Sequence, residues 1–157
     1  MLAMATAAVL VLLLVPIRLS RTGPVDREVL DNHLRSLMAS HLVDVPSSDR
    51  HTVKPWFQGR LSFSPDVPDL SAQGFTLVGG RLDVVGRVPA AAIVYKRREH
   101  VINLFAAPSN RTDSRIQAGS SEGYNFVTWV KGGLSYSAVS DLNAAELMQF
   151  AKLVRGR

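Results

Sequence analysis

Hydrophobic positions fall into three regimes along the chain: an unbroken apolar run, a stretch of helical period, and a long region of alternation. The first seventeen residues, MLAMATAAVLVLLLVPI, carry no charge and a single hydroxyl, Thr6. At about 1.5 Å per residue a helix of this length reaches about 25 Å, near the about 30 Å of a bilayer core. Pro16 stands at the end of the run, where loss of a helical hydrogen bond matters least. Val9–Val15 is apolar on every face, against the pattern of an amphipathic core helix. No Lys or Arg precedes the run and IRLSR follows it, against the pattern of a cleavable signal peptide. The run predicts one transmembrane helix over residues 1–17, with a signal peptide and a core helix as the alternatives. Arg18 and Arg21 follow it, and a positive-inside count of these two alone would put the remaining chain in the cytoplasm.

After a linker over 18–25 the period becomes helical. A helix is predicted over Asp26–Val43, with Asp26 and Glu28 in its first turn and Leu30, Leu34, Leu37, Met38 and Leu42 on one stripe. His33 and His41 border that stripe two turns apart, too far to chelate one metal, and read as edges of a packed face. Residues 44–72, rich in Pro, Ser and Asp, read as an irregular connector with a short strand at Arg60–Phe63. From Phe75 the alternation of strands takes over. Phe75 and Leu77 share one parity, Leu82 and Val84 the other, so Gly79-Gly80 must make a turn or a bulge. Ala90–Tyr95 and His100–Ala106 form a hairpin around KRRE, and Tyr124–Val130 and Leu134–Val139 form another around Gly132-Gly133. Asn110–Ser121 reads as a polar loop. The C-terminal helix is signalled by a capping box of Asn143 and Glu146, a staple of Leu142 and Leu147, and an apolar face of Leu147, Phe150, Ala151 and Val154. The expected fold of residues 26–157 is α+β: an antiparallel sheet of five or six strands, with an N-terminal and a C-terminal helix packed on one face.

A length of 157 residues suits one domain with a short appendage. With 46% hydrophobic and 20% charged residues the chain is not of the disordered class. The absence of cysteine excludes a disulfide scaffold, a thiolate metal site and a cysteine nucleophile. The net charge is +5, and with Arg18 and Arg21 set aside sixteen basic residues face thirteen acidic ones. No dense basic patch follows from that balance, and nucleic acid is not an expected partner. HExxH, GxSxG, EF-hand and helix-opening glycine motifs are all missing from the sequence. No cofactor, metal site or catalytic residue is therefore expected, and the chain does not read as an enzyme. Its most unusual stretch is SSDRHTVKPWFQGRLSF, Ser47–Phe63, which puts His51, Lys54, Trp56 and Arg60 in a predicted loop. Exposed aromatic and basic residues in a loop can form a recognition surface. The competing reading has Trp56 and Phe57 plugging the core while the charges face water. Asp83 and His100 read as sheet residues.

Three strings are familiar: DVPSSDRHTVKPWFQGRLSFSPDVPDL, GFTLVGGRLDVVGRVPAAAIVYKRREHVINLFAAP and GYNFVTWVKGGLSYSAVSDLNAAELMQFAKLV. Together they resemble the extracytoplasmic part of a family of bacterial transmembrane anti-sigma factors, over about residues 25–155. In that family a cytoplasmic domain, often with a zinc motif of one His and two Cys, grips an extracytoplasmic-function sigma factor. One transmembrane helix joins it to an exported domain that listens for stress. The resemblance implies a membrane-anchored periplasmic portion of such a regulator, single-pass in the inner membrane, with its C-terminal domain in the periplasm. It implies contact with the sigma factor only through an N-terminal domain preceding Met1, and it allows a regulatory protease or self-association. The chain starts inside the apolar run without a cysteine, so a truncated reading frame or a mis-called start codon at Met1 is expected. Inside-facing charges upstream of Met1 would also settle the orientation. The alternative is an exported or tethered binding or enzymatic module without a sigma-factor role.

Two outcomes are expected. Protease added to spheroplasts should digest the 26–157 domain; protection until lysis would show that the Arg18 and Arg21 count was the correct guide to orientation. Expressed in cells lacking the full-length protein, these 157 residues should leave a sigma-dependent reporter active. Gripping a sigma factor takes about 800 Å² per partner, which Met1-Leu2-Ala3 does not offer. Strong repression would place a sigma-binding surface in the domain assigned to the periplasm.

Overall fold

The computed structural model describes residues 23–38 and 41–156. The predicted transmembrane helix and most of the linker lie outside the described residues; among those described, no helix is long and apolar enough to cross a membrane. The elements run α1 (Pro24–Leu37), β1 (Val45–Pro46), α2 (Arg50–Phe57), β2 (Thr76–Val85), β3 (Val88–Arg97), β4 (His100–Pro108), β5 (Gln117–Ser121), β6 (Tyr124–Lys131), β7 (Leu134–Ser140) and α3 (Ala144–Arg155). The strands make one antiparallel sheet in the order β1-β2-β3-β4-β7-β6-β5.

The α+β class and the helices at both ends match expectation, but the sheet has seven strands rather than five or six. β1 is a two-residue edge pairing with Gly79 and Gly80, and β5 occupies part of the predicted polar loop. β5 is polar because it is an outer strand, with Gly119 leaving space for the Phe126 ring. The parity change comes from a bulge within β2 between Leu77 and Gly79, where Val78 is the extra residue; Gly79-Gly80 continues the strand just after it and is not a turn. A Cβ on Gly79 would sit 2.2 Å from the Val45 carbonyl oxygen, and one on Gly80 would sit 2.6 Å from Phe57, so the two glycines admit β1 and α2.

Helices cover both faces, not one. Alternation sends Ile93, Tyr95, Leu104 and Trp129 to the face packed by α2 and α3. Ala92, Phe105, Phe126 and Val139 go to the face packed by α1. α1 ends at Leu37, short of the predicted Val43, where Met38 turns extended (ψ 150°). The face it buries includes Asn32, His33 and Ser36, while Leu37 and Met38 of the predicted stripe are exposed. His33 is thus in the core, and His41 is an exposed residue beyond the helix.

The predicted connector contains α2, whose Asp49 cap accepts from the His51 amide (2.8 Å) and whose Val53 and Phe57, one turn apart, are fully buried. Two apolar anchors and an internal Pro55 are too little for a periodicity signal. The strand predicted at Arg60–Phe63 is absent; Leu61 makes only an isolated bridge to Gln58. On α3, Asn143 accepts from the Glu146 amide (3.0 Å), as a capping box requires. The returning half is replaced: the Glu146 carboxylate binds Arg97 and Arg98, each at 2.6 Å, and the Asn143 side-chain amide. Those arginines hold its carboxyl below the usual range, and they tie α3 to the tip of the β3–β4 hairpin.

Phe150 packs between Phe75 and Tyr95, with ring centroids 5.2 and 5.1 Å away. Phe150→Ala should therefore cost about 3–5 kcal/mol in denaturant unfolding, against about 1 kcal/mol for Asn143→Ala. Equally mild effects would show that α3 is not seated on the sheet.

Candidate functional site

Helical geometry divides the four residues of the predicted recognition loop. His51 and Lys54 line a cleft of about 460 Å³ with Arg50, Gln58, Asp66 and Pro68. Lys54 Nζ lies 3.0 Å from Asp66 Oδ1, an exposed pair, of a kind worth about 0–1 kcal/mol. Trp56 and Arg60 do not line this cleft. The Arg60 guanidinium sits 4.6 Å above the Trp56 ring and donates to the Trp56 carbonyl at 2.8 Å. Phe57 is fully buried and Trp56 packs half-buried on the same core. The stretch therefore serves partly as the plug that the competing reading described, and the four side chains do not converge.

A second constellation escaped the sequence reading. Arg81 on β2 is 1% exposed, although an unpaired buried charge costs several kcal/mol. Three partners receive its donors. Asp83 Oδ2 accepts from Nε and Nη2 at 3.1 and 2.9 Å, while Asn103 Oδ1 and the Leu42 carbonyl each accept from Nη1 at 3.2 Å. Burial pushes the guanidinium below its usual range and Asp83 pulls it back. Because a guanidinium can only donate, Asn103 must turn its oxygen to Arg81 and its amide nitrogen toward α1. That nitrogen donates to Ser36 Oγ at 2.8 Å and to His33 Nδ1 at 2.9 Å, and Ser36 Oγ donates to the His33 carbonyl at 2.7 Å. His33 Nδ1 is consequently the acceptor nitrogen of a neutral ring. Burial, with Asp141 opposing and Arg81 assisting, lowers its pKa to about 4.

The same helix closes the exposed edge of β2. Asn32 Nδ2 donates to the Val84 carbonyl (2.7 Å) and Glu28 Oε2 accepts from the Gly86 amide (2.9 Å). Asp44 and Asp83 take the Leu82 and Val84 amides at 3.0 and 2.9 Å. An edge strand left open would be a template for foreign strands; here side chains occupy its groups. Asp83, read as a plain sheet residue, thus serves both the guanidinium and the edge. His100 opens β4 with Nδ1 3.0 Å from the Asp141 carboxylate.

Among the described residues, no group of three or more His, Asp or Glu is placed to hold a metal ion. The only early sign of the network was Arg81 and Asp83 at i and i+2, which share a strand face. Compared with protein families, curated proteins and solved structures, the chain has no match.

His33 gives a measurable pH signature. Its ring titrates near 6.5 when unfolded and about 4 in the fold, so the unfolded state binds more protons between those values and stability rises with pH across the window. The contribution is complete above pH 6.5 and is lost as the pH falls, by about 3 kcal/mol at pH 4. Urea unfolding at pH 7 and pH 4.5 should show wild type losing about 2–3 kcal/mol more than His33→Gln. Identical losses would show that His33 is solvated.

Proposed function

We propose that this chain is the membrane-tethered, exported regulatory half of a transmembrane anti-sigma factor, acting on an extracytoplasmic-function sigma factor. The three strings that resemble this family coincide with whole structural units: β1 with α2 and its following loop, the β2–β4 meander, and β6–β7 with α3. The observation that carries the reading is the way α1 is fastened. It is the first described element after the apolar run, and its attachment runs through Glu28, Asn32, His33 and Ser36 as much as through Val29 and Leu30. An element held largely by a few hydrogen bonds opens at lower cost than one held by a broad apolar face. Force or strain arriving along the chain from a membrane anchor would therefore act first on α1, and a change on the sheet face would act back through it.

In-frame removal of codons 26–157 should change one extracytoplasmic-function sigma reporter of the host by about fivefold or more. Asn103→Leu, which unfastens α1 from Arg81, should reproduce part of that change. Constant activity of every such reporter would overturn the proposal, and would favour the second reading, a binding module. That reading has its own support in an open groove on the α1 face.

A further inference from the structure

α1 covers only part of its sheet face. The cross-strand row Asn103–Val139–Phe126 lies under Val29, Leu30 and His33. The next two rows toward the other end of the strands are Phe105–Ser137–Thr128–Gln117 and Ala107–Ser135–Val130. Beyond Phe105 their side chains are small at Ala107, Ser135 and Ser137, which with Thr128, Gln117 and Val130 form the floor of a groove of about 450 Å³. Its walls are the start of α1 (Val25, Asp26), the β2–β3 turn (Val85, Val88) and the segment carrying Arg111 and Ser114.

Two features of this groove ask for a ligand. Ser137 is 7% exposed, lines the groove and makes no side-chain hydrogen bond to any described residue. Its hydroxyl is open to the groove rather than sealed in the core, and is therefore free to meet a ligand there. Arg111 lines the same groove, and its guanidinium has no partner among the described residues. Among the described residues the only other charged side chain there, Asp26, already accepts from the Gly23 amide at 2.8 Å. The larger depression beside β2, about 790 Å³, is different in chemistry: Glu28, Asn32 and Asp83 in it are engaged, and Arg27, Asp31 and Arg35 line it with exposed charges of both signs.

We propose that the groove is a binding site for a small carboxylate with an apolar body. The carboxylate pairs with Arg111, in the fork geometry that suits a guanidinium, and the body lies along Val25, Val88 and Val130. Ser137 and Thr128 supply hydroxyl contacts from the floor. A volume of this size falls within the range of small-molecule sites. An occupant would brace the start of α1 against β2 and β7, whether or not the chain serves a sigma factor.

The test uses the full chain in lipid nanodiscs, with hexanoate as the probe and amide resonances of Thr128, Ser135 and Ser137 as the readout. Hexanoate should shift these resonances saturably, with a dissociation constant of about 1 mM for so small a ligand. Hexanol, with the same tail and no charge, should bind about tenfold more weakly, the difference expected for loss of one charge-assisted contact. Arg111→Gln should weaken hexanoate to the level of hexanol. Ser137→Leu should abolish both, while resonances of α3 stay in place to report an intact fold. Absence of a saturable shift, equal binding of hexanol, or binding unaffected by either substitution would each overturn the proposal. So would contacts from residues 1–22 to Ser137 in the unliganded chain, which would make that segment the occupant.

Discussion

Arg81 lies in the middle of a sheet face, and its guanidinium cannot be left without acceptors there. Asp83 supplies the charge, two residues along the same strand. Asn103, two strands away, must then present its oxygen to Arg81, which leaves its nitrogen pointing at α1. That one orientation selects Ser36 and the Nδ1 lone pair of His33 as partners and so sets which face of α1 meets the sheet. Leu37 and Met38 would make a more apolar interface, yet they stay in water because rotating the helix to bury them would strip acceptors from Asn103. A buried polar network is therefore used here to specify geometry, at a cost in desolvation that apolar packing would not incur.

The two faces of the sheet consequently differ in kind. The face under α2 and α3 is filled by large rings and aliphatic chains, with Phe150 in contact with both Phe75 and Tyr95. Density of this sort resists rearrangement. The face under α1 is half polar where the helix lies and open where it does not. Hydrogen bonds also end abruptly with misalignment, whereas apolar contact degrades gradually. A domain with one rigid face and one face fastened by a short list of directional bonds has a natural place for a switch.

The proposed function and the proposed groove meet at the start of α1. Gly23, Val25 and Asp26 form one wall of the groove, and the chain reaches them directly from the segment that precedes the domain. Nothing larger than a small molecule is needed to press on that wall. The cleft beside α2 is in a different position, against α3, and the His51 and Lys54 that line it have no route to α1 through the network described.

Much of this architecture was legible in the residues alone, wherever the signal is local. Period-two alternation marked β2, β3, β4, β6 and β7, because each strand has a face that must be apolar. The parity change at Gly79-Gly80 announced the bulge, and Asn143, Leu142 and Leu147 announced α3, since caps and staples act within a single turn. What tertiary structure decided was everything carried by polar or small residues. Nothing local marks Arg81 and Asn103 as core residues, and His33 reads only as the edge of a packed face, until the sheet brings them within hydrogen-bond reach across 22 and 70 residues of chain. α2 forms because Val53 and Phe57 find a core over Gly80, which no local pattern can foresee. β5 exists because β6 offers it an edge. The groove over Ser135 and Ser137 likewise depends on where α1 stops covering the sheet, and that limit is set by the buried guanidinium rather than by any hydrophobic period.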